Sequence, residues 1–461
     1  MSYFTLATFS GLSCPSNSLS PVPAMASQDR YFNPRFDNPF PSARIYRLEG
    51  ITMSDEQPLP TGPQLTAADP VFREHPHEYL DRLRAEDPVH RDDKLGRLFL
   101  TRFEDVRAVV SNRALSVDPR KAPPESYLRR ILAANEPIEA FEPSMLSLDD
   151  PDHKRIRGLV SQAFNQRAVD AFRRRILAVA KQLLDALSGR NAFDVIAEYA
   201  APLPTIVIAQ MLGVDAGDFA RFKHWSDARS QIFNTARTPE QSAELAAARQ
   251  GLDDYFVHAV EERRHRRGTD LAGALVSAEE SGDRLTQREI VVTCNLLLVA
   301  GNLTTTDLIG NGVLALLSYP DQLVKLRAHP ELISHAVEEM LRYDPPVAQT
   351  SRVVLDPLEI GGTEVKLGEV MTVSLLAAGH DPARHSEPHR FDIERPDTSH
   401  FAFGGGAHFC LGAPLARAEA QIAIPLLFER FPSLRLDPQH PIKHKGAPVF
   451  NGLTALWVRS A

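Results

Sequence analysis

The sequence predicts a mainly α fold with a minor β region. Two observations carry that prediction. Apolar residues recur at helical spacing through most of the chain beyond residue 70. Runs rich in β-branched residues are short and confined to 351–361, 369–375 and 446–459, besides a hairpin expected across Val89 to Thr101 with Gly96 near its turn. Helices therefore supply the core, and the strands form only a small sheet.

The elements follow from local chemistry. Residues 1–52 are rich in Ser, Pro, Asn and Phe and have no helical or strand period. They read as a disordered or mis-annotated N-terminal extension, which leaves a single domain over 53–461. His77 to Glu86 and Phe103 to Ser111 read as helices flanking the hairpin. Residues 118–147 contain several prolines and little period, and read as one long loop of the kind that often covers a site. Helices are expected at 151–164, 168–188, 203–213, 217–231, 238–266, 287–319 and 330–343.

The 287–319 segment is apolar almost all round and must be buried. Its middle, Ala300-Gly301-Asn302-Leu303-Thr304-Thr305, weakens a helix in two ways. Glycine costs roughly 0.5–1 kcal/mol against alanine in a helix interior. The Thr304 hydroxyl can bond back to the carbonyl of Ala300, which bends helices. The segment marks either a local opening able to admit a small ligand or a packing glycine where another helix crosses.

Composition narrows the function. A hydrophobic content of 43% and a charged content of 24% describe a globular protein with ample core. The net charge of −8 gives no support for nucleic-acid binding. Cys14, Cys294 and Cys410 are too few and too scattered for a disulfide framework, so a reducing, cytoplasmic setting fits. Cys294 lies in an apolar helical run and reads as core. No stretch reaches the roughly 18 uninterrupted apolar residues of a membrane span.

Cys410 is the chemically informative cysteine. The run Phe403-Gly404-Gly405-Gly406-Ala407-His408-Phe409-Cys410-Leu411-Gly412 delivers one thiol to the start of an apolar-patterned helix. A helix N-terminus and free backbone N–H groups favour negative sulfur, which predicts a thiolate. Such a thiolate can hold a metal or act as a nucleophile. A second signal is Glu339-Met340-Leu341-Arg342, whose acid and base share one helix face. Pro388-His389-Arg390-Phe391 supplies another arginine before the cysteine loop.

Together these residues resemble the cytochrome P450 superfamily of haem-thiolate monooxygenases, of the soluble bacterial type, over about residues 65 to 461. The run from Phe403 to Gly412 is similar to the family's haem loop, and Ala300 to Thr305 to its oxygen-binding helix segment. Glu339, Arg342 and Arg390 are similar to its structural triad. The resemblance implies a helical domain around haem with small mixed sheets. It makes Cys410 the thiolate ligand of the iron in haem b (iron protoporphyrin IX), which donates electron density that favours O–O cleavage. His153, Arg157, Arg352 and His408 would hold the haem propionates, with Ala300, Gly301, Phe403 and Gly412 beside the cofactor. Thr304, Thr305 and Asn302 would be catalytic, and Leu296, Val299, Ala348, Val449 and Phe450 would line the substrate pocket.

The implied partners are O2, a hydrophobic small-molecule substrate, and a ferredoxin or flavodoxin with an NAD(P)H reductase. The protein is expected to be a monomer that binds neither nucleic acid nor membrane. Lys154, Arg155 and Arg417 would flank the proximal face, where an acidic partner can dock. One position departs from the pattern: Leu303 stands where the family carries the acid of its proton relay. This departure leaves as the alternative a haem-binding or sensing protein without turnover, or atypical chemistry.

Overall fold

The computed structural model describes residues 58–460, apart from 136–140, 235–236, 267, 269 and 281–284. The extension 1–52 and the domain start at Met53 lie outside the described residues. Three helices precede the first long connection: α1 (Pro70–Glu74), α2 (Pro76–Glu86) and α3 (Phe103–Ser111). Between α2 and α3 lies the expected hairpin, β1 (Val89–Asp92) and β2 (Arg97–Leu100), paired antiparallel. Gly96 sits at φ +59° before β2, a left-handed conformation that glycine adopts without strain.

The segment 118–147 is not one loop. It contains a 3-10 turn at Pro119–Lys121 and a helix, α4 (Tyr127–Asn135). The prolines flank α4, with Pro119, Pro123 and Pro124 before it and Pro137 and Pro143 after it, and Tyr127, Ile131 and Leu132 bury one of its faces at helical spacing. Then come α5 (Asp152–Val160), α6 (Gln166–Ala186), the short β3 (Ala192–Asp194), α7 (Pro202–Leu212), α8 (Phe219–Ser230), α9 (Pro239–His265) and α10 (Leu271–Glu280).

The longest helix, α11 (Gln287–Ser318), is the element around which the helical part is built. It packs against α7, α8 and α9 and, further on, against α13 (Ile333–Tyr343) and α15 (Ala413–Arg430). A capping box between Thr286 and Glu289 starts it. By length and composition it is apolar enough to cross a membrane, the one such helix among the described residues, but most of its side chains are buried against these neighbours.

Between α11 and α15 lie α12 (Pro320–Ala328), α13, β4 (Gln349–Val353), β5 (Leu358–Ile360), β6 (Thr363–Val365), β7 (Val370–Ser374) and α14 (Leu375–Gly379). The main sheet has the order β1-β2-β7-β4, with β2 and β7 parallel. The chain closes with β8 (Arg435–Leu436), β9 (Lys443–His444), β10 (Leu453–Ala455) and β11 (Trp457–Arg459). The mainly α architecture with small mixed sheets is therefore observed.

The loop after α14 is held by one buried carboxylate. Glu339 on α13 accepts from Arg342 Nε at 2.6 Å and from another Arg342 nitrogen at 2.9 Å, both side chains being fully buried. The third arm is Arg395, whose Nε donates to Glu339 at 3.1 Å. The expectation for Arg390 is thus corrected. Its guanidinium is 54% exposed and lies near Glu387, while its backbone carbonyl accepts from both Arg342 and Arg395. The chain turns the Arg390 carbonyl inward, which sends its side chain outward.

Arg395→Ala removes one buried partner of Glu339 and one donor from each of three backbone carbonyls, leaving that of Ser386 without it, so it should cost about 2–4 kcal/mol of stability. Arg390→Ala should stay within about 0.5 kcal/mol. Urea denaturation of the two variants checks both values.

Candidate cofactor site around Cys410

The cysteine loop is shaped from both sides. Gly405 and Gly406 lie against the end of α3. A Cβ at Gly406, which sits at φ +62°, would meet the Val110 carbonyl oxygen at 2.7 Å. Only glycine fits there. The Cys410 N–H donates to the Phe403 carbonyl at 2.8 Å, which closes the loop. Helix α15 then begins at Ala413 with Pro414 in its first turn, a position where the missing N–H costs nothing.

Cys410 keeps exposed surface, yet protein atoms crowd its sulfur. Burial pushes the thiol pKa up, and the Gly412 N–H, Arg157, the Ala413 N–H and Arg417 only partly oppose it. The loop by itself therefore does not make the low-pKa nucleophile that a helix start predicts. A bond to a metal deprotonates a coordinating thiol outright, and that is the chemistry this setting suits.

Four basic side chains gather on the same side. His153 and Arg157 sit one turn apart on α5, Arg352 on β4, and His408 in the 3-10 turn Gly406–His408. The His153 and His408 rings lie 4.1 Å apart. Arg157 donates to the Phe409 carbonyl at 2.6 Å. Burial pulls Arg352 down to about 10, against the attraction of Asp149. Burial, His153 and Arg352 bring His408 down to about 4. The nearby Asp149 is already engaged by Ser116, by the Val117 N–H at 3.0 Å and by Lys121 at 2.8 Å. His153 Nε2 is buried with no partner. An unpartnered buried ring nitrogen amid basic side chains, next to a thiol with exposed surface, suits an anionic ligand that also carries a metal. A dianionic porphyrin with central iron meets both demands, so the residues present fit haem.

The remaining candidate residues lie on α11. Leu296, Ala300 and Thr304, spaced four apart, are less buried than most of their neighbours, and Ala300 is exposed. Val299 is half-buried beside them. Thr304 donates its hydroxyl to the Ala300 carbonyl at 2.9 Å, yet the helix runs on without a break. Gly301 faces the other way: a Cβ there would meet Ile208 of α7 at 3.3 Å. It is a packing glycine, which corrects its placement beside the cofactor.

Asn302, Leu303 and Thr305 are all buried. Asn302 is engaged through Oδ1 with the Thr306 hydroxyl at 3.3 Å, while its Nδ2 has no partner. Among the substrate-pocket residues, the Ala348 N–H donates to the Val449 carbonyl at 2.9 Å, and Phe450 meets Phe233 edge-on at 5.8 Å.

The family model for cytochrome P450 matches residues 134–451. The chain belongs to the cytochrome P450 family. This P450 is 39% identical over 406 residues to cytochrome P450 107B1 of Saccharopolyspora erythraea, covering 86% of this chain and 98% of that one. It is also 39% identical over 399 residues to the cytochrome P450 monooxygenase PikC of Streptomyces venezuelae, covering 84% and 92%. Among solved structures, the myxobacterial cytochrome P450 CYP267B1 in complex with myristic acid matches with a TM-score of 0.78 at 36% identity, covering 85% of this chain and 98% of that one. Mycobacterium smegmatis CYP164A2 matches with a TM-score of 0.77 at 38% identity, covering 85% and 98%. As a cytochrome P450, the protein is an oxidoreductase, a haem-dependent monooxygenase.

Sequence reasoning missed a network behind the loop of this P450. Arg417 on α15 holds Glu338 of α13 through two bonds of 2.7 Å, and His400 reaches the same carboxylate at 3.2 Å. The Arg417 guanidinium also covers the Phe403 ring, 4.6 Å from its centroid. Arg417 is therefore not a loose docking cation, and Arg155 is likewise paired, with Asp152 and Glu289. Lys154 alone of the three is exposed.

Burial would raise Glu338, but the bonds from Arg417 and His400 outweigh it and hold the carboxyl at about 2. A depressed folded pKa stabilises above the ordinary value and is lost as pH falls toward the folded one. Glu338→Gln should thus cost about 1–2 kcal/mol at neutral pH, after allowance for solvent screening. The difference from wild type should shrink between about pH 4.5 and 2, as measured by denaturation across that range.

Proposed function

We propose that this P450 inserts one oxygen atom from O2 into a hydrophobic small molecule, by hydroxylation or epoxidation, on haem b. Electrons come from NAD(P)H through a ferredoxin or flavodoxin and its reductase. What supports this reading is the gathering of His153, Arg157, Arg352 and His408 beside the Cys410 loop, together with the less buried row Leu296, Ala300 and Thr304 on α11. Ala348, Val449 and Phe450 continue the apolar lining. Neighbouring family members support the substrate class: CYP267B1 is seen with myristic acid, and CYP109E1 of Bacillus megaterium with testosterone. Residues 53–461 act as a single cytoplasmic, monomeric domain.

When bound, haem supplies the oxygen-activating chemistry, with Cys410 as its thiolate ligand. His153, Arg157, Arg352 and His408 anchor its carboxylates. The protein's own task on the other side is to hold a proton. Thr304 spends its hydroxyl hydrogen on the Ala300 carbonyl, which leaves Oγ1 able to accept from a water or a substrate hydroxyl. Asn302 Nδ2 is a buried donor with nothing to bind. Leu303 has no atom that can carry a proton. The next acid along the helix, Asp307, is held by Lys445 at 2.7 Å and lies one turn further on. Proton delivery therefore runs through water held at Thr304, without help from a carboxylate at 303.

The relatives are named as monooxygenases, which does not favour a haem protein without turnover. Two measurements test the proposal. A fatty-acid and steroid panel is screened for shifts in haem spin state, and the hits are then turned over with NAD(P)H, ferredoxin and reductase. Leu303→Glu should raise product formed per NAD(P)H consumed by more than about twofold, and Thr304→Ala should lower it. Ligand binding without any oxygenated product would overturn the proposal.

A further inference from the structure

Away from Cys410, three histidines from separate parts of the chain converge. His77 lies on α2, His380 directly follows α14, and His389 lies in the loop secured by Arg342 and Arg395. Ring centroids are 4.0 Å apart for His77 and His380, 5.0 Å for His380 and His389, and 5.1 Å for His77 and His389. One ring nitrogen from each lies within 4.8 Å of the others. His77 and His380 are buried, and His389 is 33% exposed.

The outer nitrogens fix the tautomers. His380 Nε2 stands 2.7 Å from the Tyr343 carbonyl oxygen, which only accepts, so Nε2 carries the hydrogen. His389 Nε2 stands 2.8 Å from the Asp81 carboxylate and carries a hydrogen for the same reason. In the neutral rings both Nδ1 atoms are then lone pairs, and they face each other at 3.1 Å. Two lone pairs at that distance repel unless a proton or a metal ion lies between them. A proton joins His380 and His389 only; a metal ion also engages His77, whose ring centroid lies 4.0 Å and 5.1 Å from theirs.

A ligating imidazole commonly donates its other N–H to a carboxylate or a backbone carbonyl, which sets its orientation and raises its basicity. Asp81 and Tyr343 stand in those places here. Three imidazoles suit zinc, copper or nickel rather than calcium or magnesium. Zn–N bonds of about 2.0–2.1 Å in a tetrahedron put ligand nitrogens roughly 3.3 Å apart, close to the observed His380–His389 separation. The adjacent guanidinium groups are already paired, Arg84 with Asp81 and Arg342 with Glu339.

We propose that His77, His380 and His389 bind one Zn2+ ion, with water as the fourth ligand, tying α2 to the loop that encloses Glu339. The site is separate from the Cys410 loop and does not depend on the oxygenation chemistry.

The test uses the tag-free, haem-loaded full chain, in which the histidines beside Cys410 are already covered. After chelation and removal of the chelator, the protein is titrated with zinc chloride alone by calorimetry, and bound metal is counted by mass spectrometry. The expected result is one zinc per chain with a Kd below about 1 μM, and a thermal midpoint that rises with free zinc. His389→Ala, at the most accessible ligand, should weaken binding by about 100-fold or more while the haem spectrum stays unchanged. His77→Gln supplies the same comparison should His389→Ala fold poorly. Folded wild type that takes up no zinc at micromolar concentration overturns the proposal, as does wild-type affinity in the variants.

Discussion

A set of basic side chains gathered around one sulfur is the constraint on which the site depends. His153, Arg157, Arg352 and His408 come from α5, β4 and the cysteine loop, and burial lowers the pKa of Arg157, Arg352 and His408. Of the nearby carboxylates, Asp149 is held by the Ser116–Lys121 segment, and Asp150 lies 3.3 Å from His153 Nδ1. Burying such basic groups is costly, and a bound anion would offset that cost. In the proposed reading these residues would hold the haem carboxylates and Cys410 would be its thiolate ligand, so cofactor binding would also stabilise this region.

Two ionic networks, one buried and one half-buried, hold the rest of the frame around that set. Glu339 gathers Arg342 and Arg395, whose remaining donors pin the carbonyls of Gly379, Ser386, Glu387, Pro388 and Arg390. Glu338, one residue earlier on α13, gathers Arg417 and His400 directly behind Phe403. One helix thereby fixes both the approach to the cysteine loop and its rear wall. Helix α11 packs on α7 at Gly301, and its row Leu296, Ala300 and Thr304 stays less buried than its neighbours.

What could be read from the sequence was what local chemistry determines. Helix α3, the hairpin at Gly96, the buried α11 and the loop ending in Cys410 each follow from period, glycine conformation or capping. The short α4 is masked in the sequence by prolines that flank it without entering it. The third arm of the Glu339 network was misassigned because Arg390 and Arg395 share one loop, and only its three-dimensional path decides which guanidinium points inward. Gly301 allowed two readings until Ile208 was seen beside it. The Arg417–Glu338–His400 set and the three histidines near Tyr343 join segments far apart in sequence, so no local pattern announces them. The thiol of Cys410 shows the same limit: a helix start predicts a lowered pKa, and enclosure by the surrounding chain reverses it.

The central claim is that the Cys410 sulfur is an iron ligand, not a nucleophile. The carbon monoxide difference spectrum of the reduced, haem-loaded protein, compared with that of a Cys410→His variant, tests it most directly. Wild type should give the strongly red-shifted Soret band of thiolate-ligated haem, and the variant should lose it while keeping haem. A wild-type band at the position of histidine-ligated haem, or one unchanged by the substitution, would contradict the assignment.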